Sequence, residues 1–144
     1  MKDSVVIDAS LACLWVMPEQ HTERAFALAR RWVASGSRLI APCLMLTEVT
    51  NAVYKRIRRK EMDLTTARQA LQIVMEFDIE ICEEPGFHER AIELADAFKM
   101  PTTYDAHYLA LAERYTCPLW TADKKLYDSV RRKLPWVRWV GHLS

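Results

Sequence analysis

The chain has 144 residues, the size of one domain that buries about two-thirds of the surface its unfolded form exposes. Hydrophobic residues make up 51% and charged residues 27%, which excludes a disordered chain, and no apolar run approaches the roughly 20 residues of a membrane span. The formal net charge of +1 identifies no partner, because a near-neutral total can hide local patches.

The first half of the chain predicts two strands and four helices. The opening apolar run at 5–7 is β-branched, which is typical of a strand covered on both faces. The elements predicted after it are a helix at 11–16 ended by Pro18, a helix at 21–34 stopped by Ser35 and Gly36, a strand at 38–42, a helix at 44–58, and a helix at 64–77 capped by Asp63 or Thr65.

The second half continues the alternation of strands and helices. Its predicted elements are a strand at 79–82, a helix at 87–98, a helix from a cap at Thr102 or Thr103 to about 115, a strand at 118–121, a helix at 124–132 and a strand at 136–140. Strands that alternate with helices over short connections predict an α/β fold with a mainly parallel sheet. We expect residues 1–144 to form a single domain.

Cysteine usage and the N-terminus bear on the compartment. The four cysteines, Cys13, Cys43, Cys82 and Cys117, occur singly in apolar segments, and none has the spacing of a zinc site or a redox motif. Buried free thiols in a reducing compartment are the expectation. The chain begins Met1-Lys2-Asp3-Ser4 and enters a strand without a signal-peptide pattern, so we expect a cytoplasmic protein.

Four carboxylates occupy positions that predict a shared site. Asp8 and Asp123 each follow an apolar strand, so both reach the crevice at the carboxyl edge of the sheet if their strands are neighbours. Asp105 falls in the first turn of a helix that begins after Pro101, and Glu48 lies within a helix. Taken together, these acids are candidates for one cluster.

Each acid also has a structural interpretation. Asp8 and Asp123 are good N-caps, Asp105 with Thr102 resembles a capping box, and Glu48 could be a solvated helix residue. Capping does not explain a polar Glu48 among apolar neighbours. Two carboxylates ~4 Å apart repel by about 4 kcal/mol at an effective dielectric of ~20, whereas a helix N-terminus returns only ~0.3–1 kcal/mol. A cluster therefore requires protonation or a bound cation.

The donor chemistry indicates which cation that would be. Ligation by oxygen alone, without cysteine or histidine, favours Mg²⁺ or Mn²⁺ over zinc. Such an ion binds a phosphodiester oxygen and lowers the pKa of a bound water. No Ser-His-Asp or Cys-His arrangement competes, three glycines offer no phosphate-binding loop, and His107 faces a different side of its helix from Asp105. The pattern predicts metal-dependent cleavage of a phosphodiester bond.

Two basic runs have two interpretations each. The run at 55–60 contains five cations, and the second comprises Lys124 and Lys125 followed by 131–133. Cations at a helix C-terminus complement its dipole, and they also suit a nucleic-acid backbone. Both interpretations stay open for the first run, and the dipole interpretation is favoured for the second.

Four segments in this order resemble the PIN domain family, and most closely the VapC-type toxins of bacterial and archaeal toxin–antitoxin pairs. The segments are Val6-Ile7-Asp8-Ala9-Ser10, Leu46-Thr47-Glu48-Val49-Thr50-Asn51-Ala52, Tyr104-Asp105-Ala106-His107 and Leu119-Trp120-Thr121-Ala122-Asp123. The resemblance covers nearly the whole chain.

The resemblance implies a three-layer α/β/α domain around a mainly parallel five-stranded sheet, with Mg²⁺- or Mn²⁺-dependent endoribonuclease activity. It also implies the site. The catalytic acids would be Asp8, Glu48, Asp105 and Asp123, of which Asp8, Asp105 and Asp123 bind the metal. Ser10, Asn51 and Thr121 would support them.

The resemblance further implies the partners. These are an RNA substrate, a cognate VapB-type antitoxin that inserts a segment near the acids, and a second copy of the chain in a homodimer. One departure concerns the metal count. Some relatives carry a further acid where this chain has Lys125, so a fully occupied second metal site is not expected, and Asp128 is a weak substitute.

Two alternatives to a ribonuclease were weighed. A non-catalytic PIN-like module would act only by binding a protein, although the presence of all four acids argues against a decayed site. A different acid-cluster enzyme is the other alternative. A phosphatase of the Asp-x-Asp type needs an acid at position 10, where Ser10 stands, and a phospho-accepting receiver needs paired acids after the first strand, which are absent.

Overall fold

The computed structural model describes residues 3–143, so Met1, Lys2 and Ser144, and with them the start of the N-terminus expected to lack a signal peptide, lie outside the described residues. Five strands form one sheet: β1 (Ser4–Ile7), β2 (Arg38–Ala41), β3 (Ile79–Ile81), β4 (Leu119–Thr121) and β5 (Val137–Trp139). Seven α-helices are described: α1 (Ala9–Val16), α2 (Thr22–Ser35), α3 (Leu44–Arg58), α4 (Leu64–Glu76), α5 (Pro85–Ala97), α6 (Tyr104–Tyr115) and α7 (Lys124–Val130).

All strand pairs are parallel, in the order β3-β2-β1-β4-β5. The chain therefore builds one half of the sheet outward from β1 through β2 and β3, and the other half outward through β4 and β5. The strand order reverses between β1 and β4, which pair with Ile7 opposite Trp120. In open parallel sheets this switch point is where a crevice forms beyond the carboxyl ends of the strands.

The helices form two packed groups that sandwich the sheet. Helices α1 to α4 contact one another, with α1 packed on each of the other three, and α5 packs along α6. Helix α6 covers β1 and β4, α1 contacts β4, and α7 packs on β4 and β5. The predicted α/β fold with a five-stranded parallel sheet between helices is confirmed.

Local signals set most of the helix boundaries. Asp8, Asp63 and Asp123 each accept a hydrogen bond from a backbone N–H of the first turn of the helix that follows. Gly36 ends α2 in the left-handed conformation, at φ 68°. The predicted cap by Thr102 or Thr103 is wrong, because Thr103 occupies the N-cap position of α6 without a side-chain hydrogen bond.

Several predicted boundaries differ from the structure by one or more residues, and three of these differences have a clear physical reason. Helix α1 begins at Ala9 rather than at residue 11, because Asp8 caps it directly. Helix α5 begins at Pro85, whose fixed φ suits the first helical position. The last strand is shorter than predicted, because only three residues pair with β4 before the chain turns into a 3₁₀ helix, Val140–His142.

The core is rich in aromatic contacts, and it corrects one prediction about cysteine. Trp15 and Trp32 are buried and meet edge to face, with ring centroids 6.4 Å apart.

Cys82 and Cys117 are buried as expected, but Cys43 is exposed, because it precedes α3 at the surface. Among residues 3–143, no helix is both long and apolar enough to cross a membrane.

Candidate active site

Asp8 lies at the switch point, one residue beyond β1. Its backbone N–H donates to the carbonyl of Trp120 at 3.4 Å, which extends the pairing with β4 by one step. Its side chain turns inward and is only 3% exposed, and Oδ1 accepts a hydrogen bond from the N–H of Leu11 at 3.0 Å. The strand end and the helix start thus fix this carboxylate from both sides.

Two hydroxyl groups hold the Asp8 carboxylate. Ser10 Oγ donates to Asp8 Oδ1 at 2.7 Å, and Thr121 Oγ1 donates to Asp8 Oδ2. Ser10 in turn accepts the N–H of Ala122 at 2.9 Å, so a residue of α1 is tied to the end of β4. Both hydroxyls orient the carboxylate; Oδ1 accepts two of the hydrogen bonds described here, and Oδ2 accepts one.

The pKa of Asp8 is raised from 3.8 to about 7. Burial is the largest cause, because it removes the charged form from water. The hydrogen bonds from Ser10, Thr121 and Leu11 lower the pKa by a smaller amount, and the carboxylate of Asp105 raises it further. Burial and a like charge therefore outweigh three favourable hydrogen bonds.

Asp123 lies beyond the neighbouring strand and is half-buried. It caps α7, since Oδ1 accepts the N–H of Leu126 at 3.2 Å. Its own N–H donates to Thr121 Oγ1 at 2.9 Å. The hydroxyl of Thr121 therefore bridges the Asp8 side chain and the Asp123 backbone. The strands that these two acids follow are neighbours, which is the condition under which both were expected to reach the crevice.

Asp105 enters the same region from the first turn of α6 and is half-buried. Burial raises its pKa from 3.8 to about 6, and the carboxylates of Asp123 and Glu48 add to the increase. Asp105 also acts on the pKa of Asp8. Three other acids are thus within electrostatic range of this one side chain, which is the signature of a carboxylate cluster.

Glu48 reaches the cluster from α3, and Tyr108 of α6 holds it. The Tyr108 hydroxyl donates a hydrogen bond to Glu48 Oε1 at 2.6 Å, and Tyr108 is only 1% exposed. Burial and this hydrogen bond raise the pKa of Tyr108 far above its usual range, so the hydroxyl stays protonated. The contact connects the two helical groups across the carboxyl edge of the sheet.

Tyr108 was not predicted as a site residue. Its one sequence signal is its place three residues after Asp105, which puts both on the same side of α6. Its partner is 60 positions away in the chain, so the pairing becomes visible only in three dimensions.

The remaining residues named from the sequence form no hydrogen bond to the four acids among residues 3–143. Asn51 is exposed on α3, and no side-chain hydrogen bond of the described residues joins it to the acids. Lys125 is exposed, as is Asp128, whose Oδ2 accepts a hydrogen bond from Lys124 Nζ at 2.8 Å. Asp128 is thus engaged with a cation rather than with the cluster.

The donor set suits a hard divalent cation. The acids offer carboxylate oxygens only, and burial, the largest cause of the raised pKa values of Asp8 and Asp105, disfavours their charged forms. Within residues 3–143, however, no three His, Cys, Asp or Glu side chains are already arranged as a metal-ion site. The chemistry fits Mg²⁺ or Mn²⁺, and the side chains would have to close around it.

The sequence of this chain matches a known family of proteins. The family model of the PIN domain matches residues 5–132. The chain belongs to the PIN domain family.

Relatives within that family are similar over almost their full length. Ribonuclease VapC9 of Mycobacterium tuberculosis is 29% identical over 131 residues, which is 91% of this chain and 94% of the relative. Ribonuclease VapC3 of Pyrobaculum aerophilum is 32% identical over 129 residues, which is 86% of this chain and 92% of the relative.

Two solved structures share the fold. PAE2754 of Pyrobaculum aerophilum superposes with a TM-score of 0.66 at 24% identity, over 90% of this chain and 87% of that one. VapC20 of Mycobacterium tuberculosis, described as a toxin that cleaves the sarcin-ricin loop, superposes with a TM-score of 0.62 at 17% identity, over 87% of this chain and 94% of that one.

Proposed function

We propose that this protein is a VapC-type toxin, an endoribonuclease that hydrolyses RNA phosphodiester bonds with the help of Mg²⁺ or Mn²⁺. The observation that carries the proposal is the position of Asp8 and Asp123 beyond two adjacent strands at the switch point, with Asp105 and Glu48 in electrostatic contact. The names of the similar ribonucleases support the choice of RNA.

The proposal assigns a role to each acid. Asp8, Asp105 and Asp123 would bind the cation, which supplies Lewis acidity and a bound water of lowered pKa. Ser10 and Thr121 would keep both oxygens of Asp8 in place, through the hydrogen bonds described above. Glu48 has one oxygen committed to Tyr108, so its Oε2 is the atom that would accept a proton from the attacking water.

Electrostatics supports a cation as part of the working site. A phosphodiester carries a negative charge, and four carboxylates would repel it by Coulomb forces that reach several kcal/mol at short range. A divalent ion would counter this, because it would offset part of the charge of the acids and attract the phosphate oxygens of the substrate. Burial and neighbouring carboxylates raise the pKa values of Asp8 and Asp105, so a bound cation would stabilise their ionised forms.

A cleavage assay tests the proposal. The purified chain is incubated with mixed single-stranded RNA in Mg²⁺ or Mn²⁺, and in parallel with EDTA. We expect cleavage that EDTA abolishes. Asp8→Asn should reduce it by at least about a hundredfold, because it removes a charge without changing volume. Asp96→Asn is the matched control, since this acid is 85% exposed on α5, and it should cleave like the wild type.

Two results would contradict the proposal. Cleavage by Asp8→Asn at the wild-type rate would remove the acid cluster from the reaction. Absence of cleavage by a folded wild-type chain, whatever metal and RNA are supplied, would favour the alternative of a non-catalytic module.

The partners and the compartment belong to the same proposal. We expect a cognate VapB-type antitoxin to inhibit the chain by inserting a segment near the acids, a homodimer in solution, and a cytoplasmic location. Light scattering after gel filtration gives the mass of the species, which should be twice the 16.7 kDa of the chain. A monomer at micromolar concentration would contradict the homodimer.

A further inference from the structure

A cleft of about 410 Å³ lies beside the acid cluster, between α1, the start of the α1–α2 connection and the C-terminal turns of α3. Its lining includes Ser10 and Ala122 as well as Lys55, Arg56 and Arg59. Since Ser10 Oγ donates to Asp8 Oδ1, one residue of the lining contacts the proposed metal ligand. The cleft therefore lies next to the candidate active site.

The charges in the cleft are unequal. Three cations and one carboxylate, Glu19, line it, so its net charge is +2 with His21 neutral. Arg56 pairs with Glu19 and lies 3.5 Å from Glu61 Oε2, and it is therefore compensated. Among residues 3–143, Lys55 and Arg59 form no side-chain ion pair, and both are exposed. These two cations supply the excess positive charge.

The structure also divides the basic run at 55–60. Lys55 and Arg59 are four residues apart, so they lie one helical turn apart on the same face, ~6 Å along the axis. Arg58 and Lys60 belong to the same run but do not line the cleft. The helix dipole does not explain why Lys55 and Arg59 line the cleft while Arg58 and Lys60 do not. A cation on any face of the last turn would complement the dipole equally.

The lining favours a nucleic-acid backbone over a protein segment. The large apolar side chains in the lining, Leu14 and Met17, are buried, and the exposed ones of the described surface, such as Tyr54 and Val33, lie elsewhere. Protein interfaces are anchored by such side chains. A backbone of phosphates is instead bound by exposed cations.

We infer that this cleft binds the RNA strand next to the scissile phosphate, with Lys55 and Arg59 on successive backbone phosphates and Arg56 positioned by Glu19 and Glu61 to shape the wall. The choice of RNA rests on the proposed ribonuclease function. The cleft would offset the repulsion between the substrate and the acids and would set the direction in which the strand leaves the site.

A binding experiment with two double variants tests this inference. Fluorescein-labelled single-stranded RNA is titrated with the full chain in EDTA, so that no cleavage occurs, and anisotropy gives Kd at several salt concentrations. The cleft variant is K55A/R59A. The control is R58A/K60N, which removes the same charge from the same run; Asn at residue 60 tolerates the left-handed backbone there, at φ 60°. Thermal unfolding verifies that both variants fold.

The cleft variant should bind RNA about tenfold more weakly, and its slope of log K against log salt should be shallower by about 0.7 per removed contact. The control should bind within about twofold of the wild type. Equal losses in both variants would overturn the inference, because the run would then act as a diffuse charge. Unchanged RNA binding by the cleft variant would also overturn it, as would a cleft that captures an acidic peptide but not RNA.

The design separates this inference from the proposed function. Binding is measured without metal, so a chain that binds RNA through Lys55 and Arg59 but never cleaves it would contradict the catalytic proposal alone. A chain that cleaves RNA and loses equal affinity in both double variants would contradict the cleft alone.

Discussion

At the scale of single residues, Asp8 has two properties that oppose each other. It is buried and receives three hydrogen bonds, which a stabilising N-cap would have, yet its pKa is raised to about 7. The ionised form is therefore less stable in the folded protein than in the unfolded chain, where the pKa is near 3.8. A purely structural cap would have its pKa lowered, as that of Asp63 is lowered by the backbone N–H of Thr66.

This predicts the pH dependence of stability in the metal-free protein. A group with a raised pKa in the folded state stabilises fully below its unfolded pKa, and the contribution is lost as pH rises from about 4 to about 7. For Asp8 the loss is at most ~4 kcal/mol, and Asp105 adds to it with the same sign. In urea unfolding with EDTA, the free energy of unfolding of the wild type should thus decrease as pH rises from about 4 to about 7.

The free energy of unfolding of Asp8→Asn should decrease much less over the same pH range. At pH 8 without metal, this variant should be more stable than the wild type. The comparison is internal, because both proteins keep Asp105. If the free energy of unfolding has the same slope against pH in the wild type and in the variant, the Asp8 carboxylate is not held in a destabilising environment.

Tyr108→Phe tests how Glu48 is held. Loss of the hydroxyl leaves Glu48 Oε1 without its buried donor, so we expect unfolding free energy to fall by about 1–2 kcal/mol and RNA cleavage to decrease. Tyr104→Phe is the matched control on the same helix, because that side chain is 55% exposed. Chemical denaturation and the cleavage assay should both leave the control unchanged. Equal stability of the two variants would show that the Tyr108–Glu48 hydrogen bond contributes nothing.

At the scale of elements, the 3₁₀ turn after β5 closes the rim of the site. Trp139 Nε1 donates to the carbonyl of Ala122 at 3.3 Å, next to Asp123, and the indole lies against the backbone of Gly141. A Cβ at position 141 would overlap the indole of Trp139, so only glycine allows this approach.

Gly141→Ala should therefore destabilise the protein by about 1–3 kcal/mol, the usual cost of overpacking. Gly86→Ala is the control, because nothing lies within 4 Å of a Cβ there and the residue is in a helix. That variant should be as stable as the wild type or more stable by ~0.5–1 kcal/mol. Thermal unfolding compares the two variants. If Gly141→Ala unfolds at the same temperature as Gly86→Ala, the indole of Trp139 moves aside without cost.

Most element boundaries could be predicted because the signals that set them are local. Two examples are Gly36, which ends α2 in a left-handed conformation, and Asp63, which accepts a hydrogen bond from the Thr66 N–H. Each signal involves only a few neighbouring residues. The failures involve competition between neighbours. Thr103 was expected to cap α6 with its side chain, but that side chain forms no cap hydrogen bond. Its backbone carbonyl instead accepts a hydrogen bond from His107 Nδ1 at 2.7 Å. The end of β5 depends on what it pairs with, which a local pattern does not contain.

At the scale of the whole molecule, the site depends on the order of strands. Asp8 and Asp123 are separated by most of the chain, and they meet because β1 and β4 are neighbours at the switch point. The residues alone indicated that both acids follow strands, but not that those strands are adjacent. The resemblance to the PIN domain implied only that the two acids share a metal site. The partner of Glu48 and the division of the basic run into two faces required the packed structure.

The same arrangement explains why a bound ion would matter to the whole fold. A ligand that binds only the folded state stabilises it, and here it would also relieve the repulsion among acids drawn from β1, α3, α6 and the end of β4. Because the ligands must be ionised, affinity for the ion should rise with pH through the range in which Asp8 and Asp105 titrate.

The most direct test of the central claim is a calorimetric titration of Mn²⁺ into the metal-free protein at about pH 8. We predict saturable binding to the wild type and to Asp96→Asn, and the loss of that binding in Asp8→Asn and in Asp123→Asn. Binding that is equally strong in the Asp8 and Asp123 variants, or a folded wild type that takes up no divalent ion, would contradict the account.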